Sequence, residues 1–272
     1  MNKVIWTYWN DKNMPDLVLR CLNSIKRQNK GYSVITLHED DIPDEVYKII
    51  SPESVSEAKK KLNYMEREIR RPSYQQALSD VLRMWLLKEF GGVWLDISTY
   101  CNAPIDASLE KDYDFYAQYH DSSIYPHFYG HTKEIPLFEC IQMASNPNGK
   151  IVSAWTEETK RVWSFQSPKK YINYLTQKQK MDIDGIDHGN SYLWHMLALR
   201  SVLTKNPELI KKINTKTTSD GYYKLCIESD WDSEKMAMNY DKKKHPIIKL
   251  RGCERESLKI QEMIRRADAE YD

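Results

Sequence analysis

The sequence predicts an α/β fold, a Rossmann-type sheet flanked by helices with helical additions, and three observations predict it. The chain opens with a strand-like run at residues 3–9, an amphipathic stretch at 15–31 and a second apolar run at 34–37. Strand, helix and strand in that order form a βαβ unit, the usual start of a sheet that binds nucleotides at its strand ends. Residues 73–98, SYQQALSDVLRMWLLKEFGGVWLDIS, then read as a helix, a glycine turn and a buried strand ending in an acid. Finally, no repeat, low-complexity segment or linker divides the 272 residues, a length that buries a substantial core. A single domain over 1–272 is expected, with a charged helical insertion at 51–72 and a C-terminal extension at 200–272 packed on it.

Taken in order, the first strand ends among Trp6, Tyr8 and Trp9, of which Trp6 reads as core. Pro15 and Asp16 open the first helix, which aligns Leu17, Val18, Cys21, Leu22 and Ile25 and closes near Gly31. The acidic turn HEDDIPDE follows the second strand, and the KKK and EREIRR runs within 51–72 read as a solvated helix. Ser73 and Gln76 then form a capping box. Tyr74, Ala77, Leu78, Val81, Leu82, Trp85 and Leu86 fall on one apolar stripe of the helix, and Gln76, Ser79, Asp80 and Arg83 on a polar one. Gly91 and Gly92 end it, because glycine accepts the left-handed backbone of a C-terminal cap. Val93, Trp94 and Leu95 form a short strand buried on both faces. Beyond it the pattern predicts a strand at 114–119 and helices at 136–145, at 151–165 and from Ser167 and Pro168. A further helix capped by Asn190 or Ser191, a short helix after Asn206, strands at 222–227 and 247–250, and a last helix from about Glu254 complete the reading.

Composition narrows the function. Lys and Arg number 40 against 39 Asp and Glu, a net charge of +1 that gives no electrostatic case for nucleic acid. The five cysteines, at 21, 101, 140, 226 and 253, show no C-x-x-C pairing, which favours reduced thiols over a disulfide framework or a zinc site. The first residues turn acidic too soon for a signal peptide, and no apolar run is long enough to cross a bilayer. A cytoplasmic protein is expected, at the inner face of the cell membrane if it touches one.

The chemistry concentrates in 73–98. A carboxylate at the end of a core strand, here Asp96, is costly to bury unless paired, and a divalent cation is the commonest partner. That cation in turn needs an anion. Singly, each residue has a plainer reading: Asp80 and Arg83 as a helix-surface ion pair, Asp96 as the cap of a turn.

Together, Ala77, Ser79, Asp80, Arg83, Gly91, Gly92, Val93, Trp94, Leu95 and Asp96 spell A-x-S-D-x-x-R and G-G-V-W-L-D, with Ser98 two positions on. This pattern resembles glycosyltransferases of the capsular polysaccharide synthesis type. They have a GT-A fold and are similar to the DxD sugar-binding family and, more distantly, to the large clostridial glucosylating toxins. The resemblance implies a GT-A-like sheet and a retaining hexosyltransferase. Its donor would be a nucleotide sugar, UDP-linked, and its acceptor a glycan, lipid-linked, in capsular or other surface polysaccharide synthesis. It also implies that Asp80 and Arg83 contact the donor sugar and ribose, and that Asp96 holds Mn²⁺ or Mg²⁺. Ser98 stands where the motif has its second acid, and a hydroxyl is the weaker ligand for a hard cation.

Trp9 matches the tryptophan that such enzymes stack on uracil, with Tyr8 beside it; a stacked base contributes about 1–3 kcal/mol. In DHGNSYLWHMLAL at 187–199, His195 is a candidate further metal contact and His188 its rival, although a lone helical histidine is ordinarily a satisfied core residue. His120, His127 and His131 in HDSSIYPHFYGH lie at no recognised ligand spacing, so that run reads as a substrate-facing loop. Lys242, Lys243, Lys244 and His245 suit anionic headgroups or plain solvent. Two rival functions stand beside the transferase. A non-catalytic carbohydrate-binding protein has no need of Asp80, Arg83 and Asp96 in this arrangement, and a metal-dependent phosphohydrolase or nucleotidyltransferase clusters several carboxylates where this strand offers one.

Overall fold

The computed structural model describes residues 1–69, 73–105, 113–120, 135–165, 167–181, 183 and 191–271. Strands β1 (Val4–Tyr8) and β2 (Ser33–Leu37) run parallel and are joined by α1 (Asp16–Gln28), the predicted βαβ unit. The acidic turn becomes a 3-10 turn, Glu39–Asp41, followed by α2 (Asp44–Ile50) and α3 (Val55–Ile69). The helix α3 is more than the solvated arm expected of 51–72. Ala58, Leu62 and Met65 repeat at helical spacing and are buried in the main core, while Lys59, Lys60, Glu66 and Arg67 are exposed.

The capping box at the start of α4 (Tyr74–Glu89) forms as expected: Gln76 N donates to Ser73 Oγ at 3.3 Å and Ser73 N to Gln76 Oε1 at 2.9 Å. The helix stops at Phe90, and Gly91 and Gly92 follow with φ of +63° and +92°. A Cβ on Gly92 would stand 2.5 Å from Val4 Cγ1 and 2.8 Å from the Val4 carbonyl oxygen, besides holding an L-residue in the left-handed region. Gly92→Ala is expected to lower the unfolding free energy by roughly 2–4 kcal/mol, read as a lower urea midpoint at unchanged slope.

After the turn come β3 (Gly92–Leu95), β4 (Thr99–Cys101), β5 (Phe115–Tyr119) and β6 (Phe138–Ser145). The last corrects the helix expected at 136–145. Glu139, Gln142, Met143 and Ala144 favour a helix locally, and all eight residues of β6 are buried, so no polar alternation announces a strand. The helices α5 (Lys150–Ser164) and α6 (Pro168–Gln177) stand where predicted, α6 capped by the Ser167 hydroxyl. Next, α7 (Trp194–Lys205) follows a 3-10 turn at Ser191–Leu193; its N-cap is Leu193, with no side-chain cap, and Asn190 lies outside the described residues.

Beyond residue 200 the expectations hold less well. The strand that completes the main sheet is β7 (Ile213–Thr217), parallel to β5. The apolar run 222–227 is no strand. With β7 holding the edge beside β5, Tyr222 and Tyr223 turn into the core ahead of α8 (Lys224–Glu228). Helix α9 (Ser233–Asn239), strand β8 (Ile247–Lys249), and helices α10 (Gly252–Glu256) and α11 (Leu258–Ala269) complete the chain.

The main sheet has the order β2-β1-β3-β6-β5-β7, in which β6 runs antiparallel to both neighbours and the other pairs are parallel. Helices cover both faces, giving the α/β architecture expected. Trp94, Phe115, Ala117 and Met143 pack with α2 to α7 on one side. Ile5, Val93, Leu95, Tyr116 and Ile141 pack on the other with α1, α8, α9, α11 and the β4–β8 ribbon. Among the described residues no helix is long and apolar enough to cross a membrane. All five cysteines are free, and only Cys253 is exposed.

Candidate functional site

Strands β1 and β3 are parallel neighbours, with Trp6 opposite Trp94, so Tyr8, Trp9 and Asp96 all emerge at one edge of the sheet. In open α/β sheets that edge is where ligands bind. Trp94 and Asp96, two positions apart, project to the same side, and the Trp94 indole N–H donates to Asp96 Oδ1 at 2.9 Å. Helix α4 lays Asp80 and Arg83 over this pair, one turn apart on its buried face.

Arg83 is the hub. Its guanidinium donates to the Cys140 carbonyl on β6 at 2.7 Å and to the Ser79 carbonyl and hydroxyl at 3.3 and 3.2 Å. It pairs with Asp80 Oδ1 at 3.1 Å and Asp96 Oδ1 at 3.6 Å, and lies 5.0 Å from the centre of the Trp94 ring. Side-chain exposure is 8% for Asp80, 9% for Arg83 and 21% for Asp96, so Asp96 is the most open of the three.

Burial splits the two acids. It would push Asp96 up, but the Lys249 ammonium and the Arg83 guanidinium outweigh it and hold the carboxyl below its usual range. Asp80, more deeply set, is pushed up to about 7 by burial, against the pull of Arg83 and with the fields of Asp96 and Glu139 adding. Unfolded, it would titrate near 3.9. Between those values the folded state holds the extra proton. The contribution of Asp80 to stability is therefore complete below about pH 4 and lost as pH rises through about 7. Burial also holds the His195 imidazole well below its ordinary value, so that residue acts with the opposite sign, costing stability as pH falls below about 6.5. Comparing wild type with Asp80→Asn separates the two. The urea midpoint of the variant is expected to gain on the wild type as pH is raised from about 4 to about 7, and a constant difference would contradict the assignment.

The base-stacking candidate, Trp9, is half-buried and packs with Val18, Leu22 and Ile97; the Arg255 guanidinium lies 5.7 Å from its ring centre. Tyr8 is buried and donates from its hydroxyl to Gln75 Oε1 at 2.6 Å. Arg255 also donates to Ser98 Oγ at 3.4 Å and to the Leu250 carbonyl at 3.1 Å. One connected set of side chains thus runs from Asp80 through Arg83, Asp96 and Ser98 to Arg255 and Trp9.

The link between Asp96 and Ser98 is Lys249. The β4–β8 ladder sets Lys249 opposite Thr99, and its ammonium donates to Asp96 Oδ2 at 2.6 Å and to Ser98 Oγ at 2.9 Å. This bears directly on the implied metal, because Asp96 and Ser98 are the ligands the resemblance assigns to it. Both already face an ammonium, and the other Asp96 oxygen takes the Trp94 N–H. His195, the third candidate, is stacked against Trp155 with its Nδ1 at 3.1 Å from Asp80 Oδ2, so its contact is to Asp80. Among the described residues no three His, Cys, Asp or Glu side chains form a metal-holding group. In this arrangement the donor set does not fit a divalent cation.

Lys249 and Arg255 escaped the sequence reading. Their only signals were a single lysine at the third position of the apolar run IIKL and an arginine five positions beyond that run. Glu139 was missed with β6. It pairs with His120, which also approaches Thr218 Oγ1 at 3.4 Å, and its field reaches Asp80. His127, His131 and His188 lie outside the described residues. In the basic run 242–245, Lys242 pairs with Glu270, and His245 is buried against Glu228 at 2.8 Å.

A family model described as capsular polysaccharide synthesis protein matches residues 1–251, which include every site residue above except Arg255. No curated protein matches the chain. Among solved structures, the PaToxG glycosyltransferase is similar over 97% of this chain and 85% of its own, at 14% identity and a TM-score of 0.40. The ligand-free glycosyltransferase domain of the YGT toxin is similar over 96% and 89%, at 10% identity and a TM-score of 0.47. A glycosyltransferase involved in glycosylation of the major capsid of PBCV-1 is similar over 98% of both chains, at 10% identity and a TM-score of 0.40.

Proposed function

The chain belongs to the capsular polysaccharide synthesis protein family, and from that premise we propose that it is a glycosyltransferase. Its donor is a nucleotide sugar, UDP-linked, and its acceptor is a glycan of a capsular or other surface polysaccharide. The hexose is transferred with retention, by a single domain whose region 200–272 supplies Lys249 and Arg255 to the site. The observation that carries this reading is the connected set Asp80, Arg83, Asp96, Ser98, Arg255 and Trp9 at the ligand-binding edge of the sheet.

In the reaction, the bond between the anomeric carbon and the diphosphate oxygen breaks and its electron pair leaves on the diphosphate. The acceptor hydroxyl forms the new bond and its proton is released. The residues supply positioning and fixed charge. Trp9 stacks the base, while Asp80 and Arg83 close the sugar and ribose end. Arg83 also holds the Asp96 carboxylate in place.

Release of nucleoside diphosphate from a panel of nucleotide sugars, with and without glycan acceptors, tests the proposal. Acceptor-dependent release from one donor is expected. Breakdown with no acceptor requirement would favour a phosphohydrolase, and no turnover of any donor would favour a carbohydrate-binding protein.

A further inference from the structure

We infer that Lys249, with Arg255 beside it, takes the part of a divalent cation in this site, so that the chain holds and neutralises the diphosphate of its donor with its own ammonium and guanidinium and without metal. The inference rests on the nucleotide-sugar reading and adds to it the means by which the diphosphate is bound.

The position of Lys249 is built by the fold. It is the last residue of β8, flanked by Ile248 and Leu250, both fully buried, and antiparallel pairing with β4 aims it at the segment that carries Asp96 and Ser98. A buried ammonium is stable only when paired, and here the partners are the two side chains expected to hold a metal, at 2.6 and 2.9 Å. A divalent ion on the same two oxygens would meet that ammonium at close range. Like charges that close repel strongly in a partly buried site.

The same arrangement favours an anion. An ammonium has three N–H donors, and among the described residues Lys249 uses two of them, on Asp96 and Ser98. Arg255 spends NH1 on Ser98 and Leu250, and no described residue accepts from its NH2. Three cations, Arg83, Lys249 and Arg255, stand against two carboxylates, Asp80 and Asp96. The surplus lies at Lys249 and Arg255, beside the ring of Trp9, where a diphosphate attached to a stacked base would fall. When the donor bond breaks, the charge that develops on the departing diphosphate meets these two groups.

The test uses the full chain and UDP and GDP as probes, with thermal stabilisation read in EDTA and in Mn²⁺. Wild type is expected to be stabilised by one of them to the same extent in both. Lys249→Met is expected to lose the shift in EDTA and regain it in Mn²⁺, because Asp96 and Ser98 are then free to bind the ion, whereas Lys249→Arg keeps the shift in EDTA. A second measurement needs no variant: the paramagnetic resonance signal of Mn²⁺ without nucleotide is expected to be unchanged by added wild-type protein. Stabilisation of wild type that requires Mn²⁺, or capture of Mn²⁺ by wild type, would overturn the inference and leave the transferase reading standing. No shift with either nucleotide, with or without metal, would overturn both.

Discussion

Asp96→Ala is expected to reduce sugar transfer by roughly 10²–10³-fold, the scale on which removing one fixed electrostatic group from a site acts. Asp96 joins the two halves of the site. Its Oδ1 takes the Trp94 N–H and faces Arg83, and its Oδ2 takes the Lys249 ammonium. Truncation leaves that ammonium buried beside Ser98 with no counter-charge and frees it to move off the donor diphosphate. Removing one partner of a buried pair costs roughly 3–5 kcal/mol, and the 21% exposure of Asp96 puts this case at the lower end. The stability loss also has a pH signature. The folded carboxyl is held below its unfolded value, so its contribution is present above about pH 4 and lost as pH falls further. Asp96→Asn keeps the shape and an acceptor but not the counter-charge of Lys249: a stability loss smaller than that of Asp96→Ala, with transfer still down at least tenfold, is expected. Full transfer activity in either variant would contradict the role given to Asp96.

Arg83→Lys is expected to lower kcat/KM by roughly 10–100-fold with a raised donor KM, although charge is conserved. The guanidinium holds β6 through the Cys140 carbonyl, α4 through Ser79, and both acids, while lying over the Trp94 ring. A lysine offers a point charge on a flexible stem and keeps only part of that set. Lost hydrogen bonds to buried acceptors cost about 1–3 kcal/mol, so a lower melting temperature accompanies the kinetic defect. A variant with wild-type kcat and donor KM would show that Arg83 only braces the helix against the sheet.

The half of the site built from local pattern was legible in the sequence. Ser73 and Gln76 announce the start of α4, Gly91 and Gly92 its end, and the spacing of Asp80, Arg83 and Asp96 follows once helix, turn and strand are placed. What escaped is what only tertiary pairing decides. The residues of β6 favour a helix by themselves and become a strand because β3 and β5 leave a gap between them. With β6 unseen, the Cys140 carbonyl and Glu139 could not be placed. Lys249 lies 153 positions from Asp96, and no local rule links them. A lone lysine after two isoleucines reads as the end of a strand until the β4–β8 register turns it inward. Ser98 shows the consequence. In the sequence it is a weakened metal ligand; in the fold it is an acceptor for a lysine and an arginine.

The central claim, a nucleotide-sugar site at the β1 and β3 strand ends, is tested most directly by thermal stabilisation of the purified chain with nucleotide sugars and with the matching free sugars. A ligand that binds only the folded state must raise the melting temperature, by an amount set by its concentration relative to Kd. A concentration-dependent rise with one UDP-sugar, none with the free hexose, and loss of the rise in Trp9→Ala, which removes the base platform, are expected. A rise with the free sugar that equals the rise with its nucleotide form, or no rise with any nucleotide sugar, would contradict the claim.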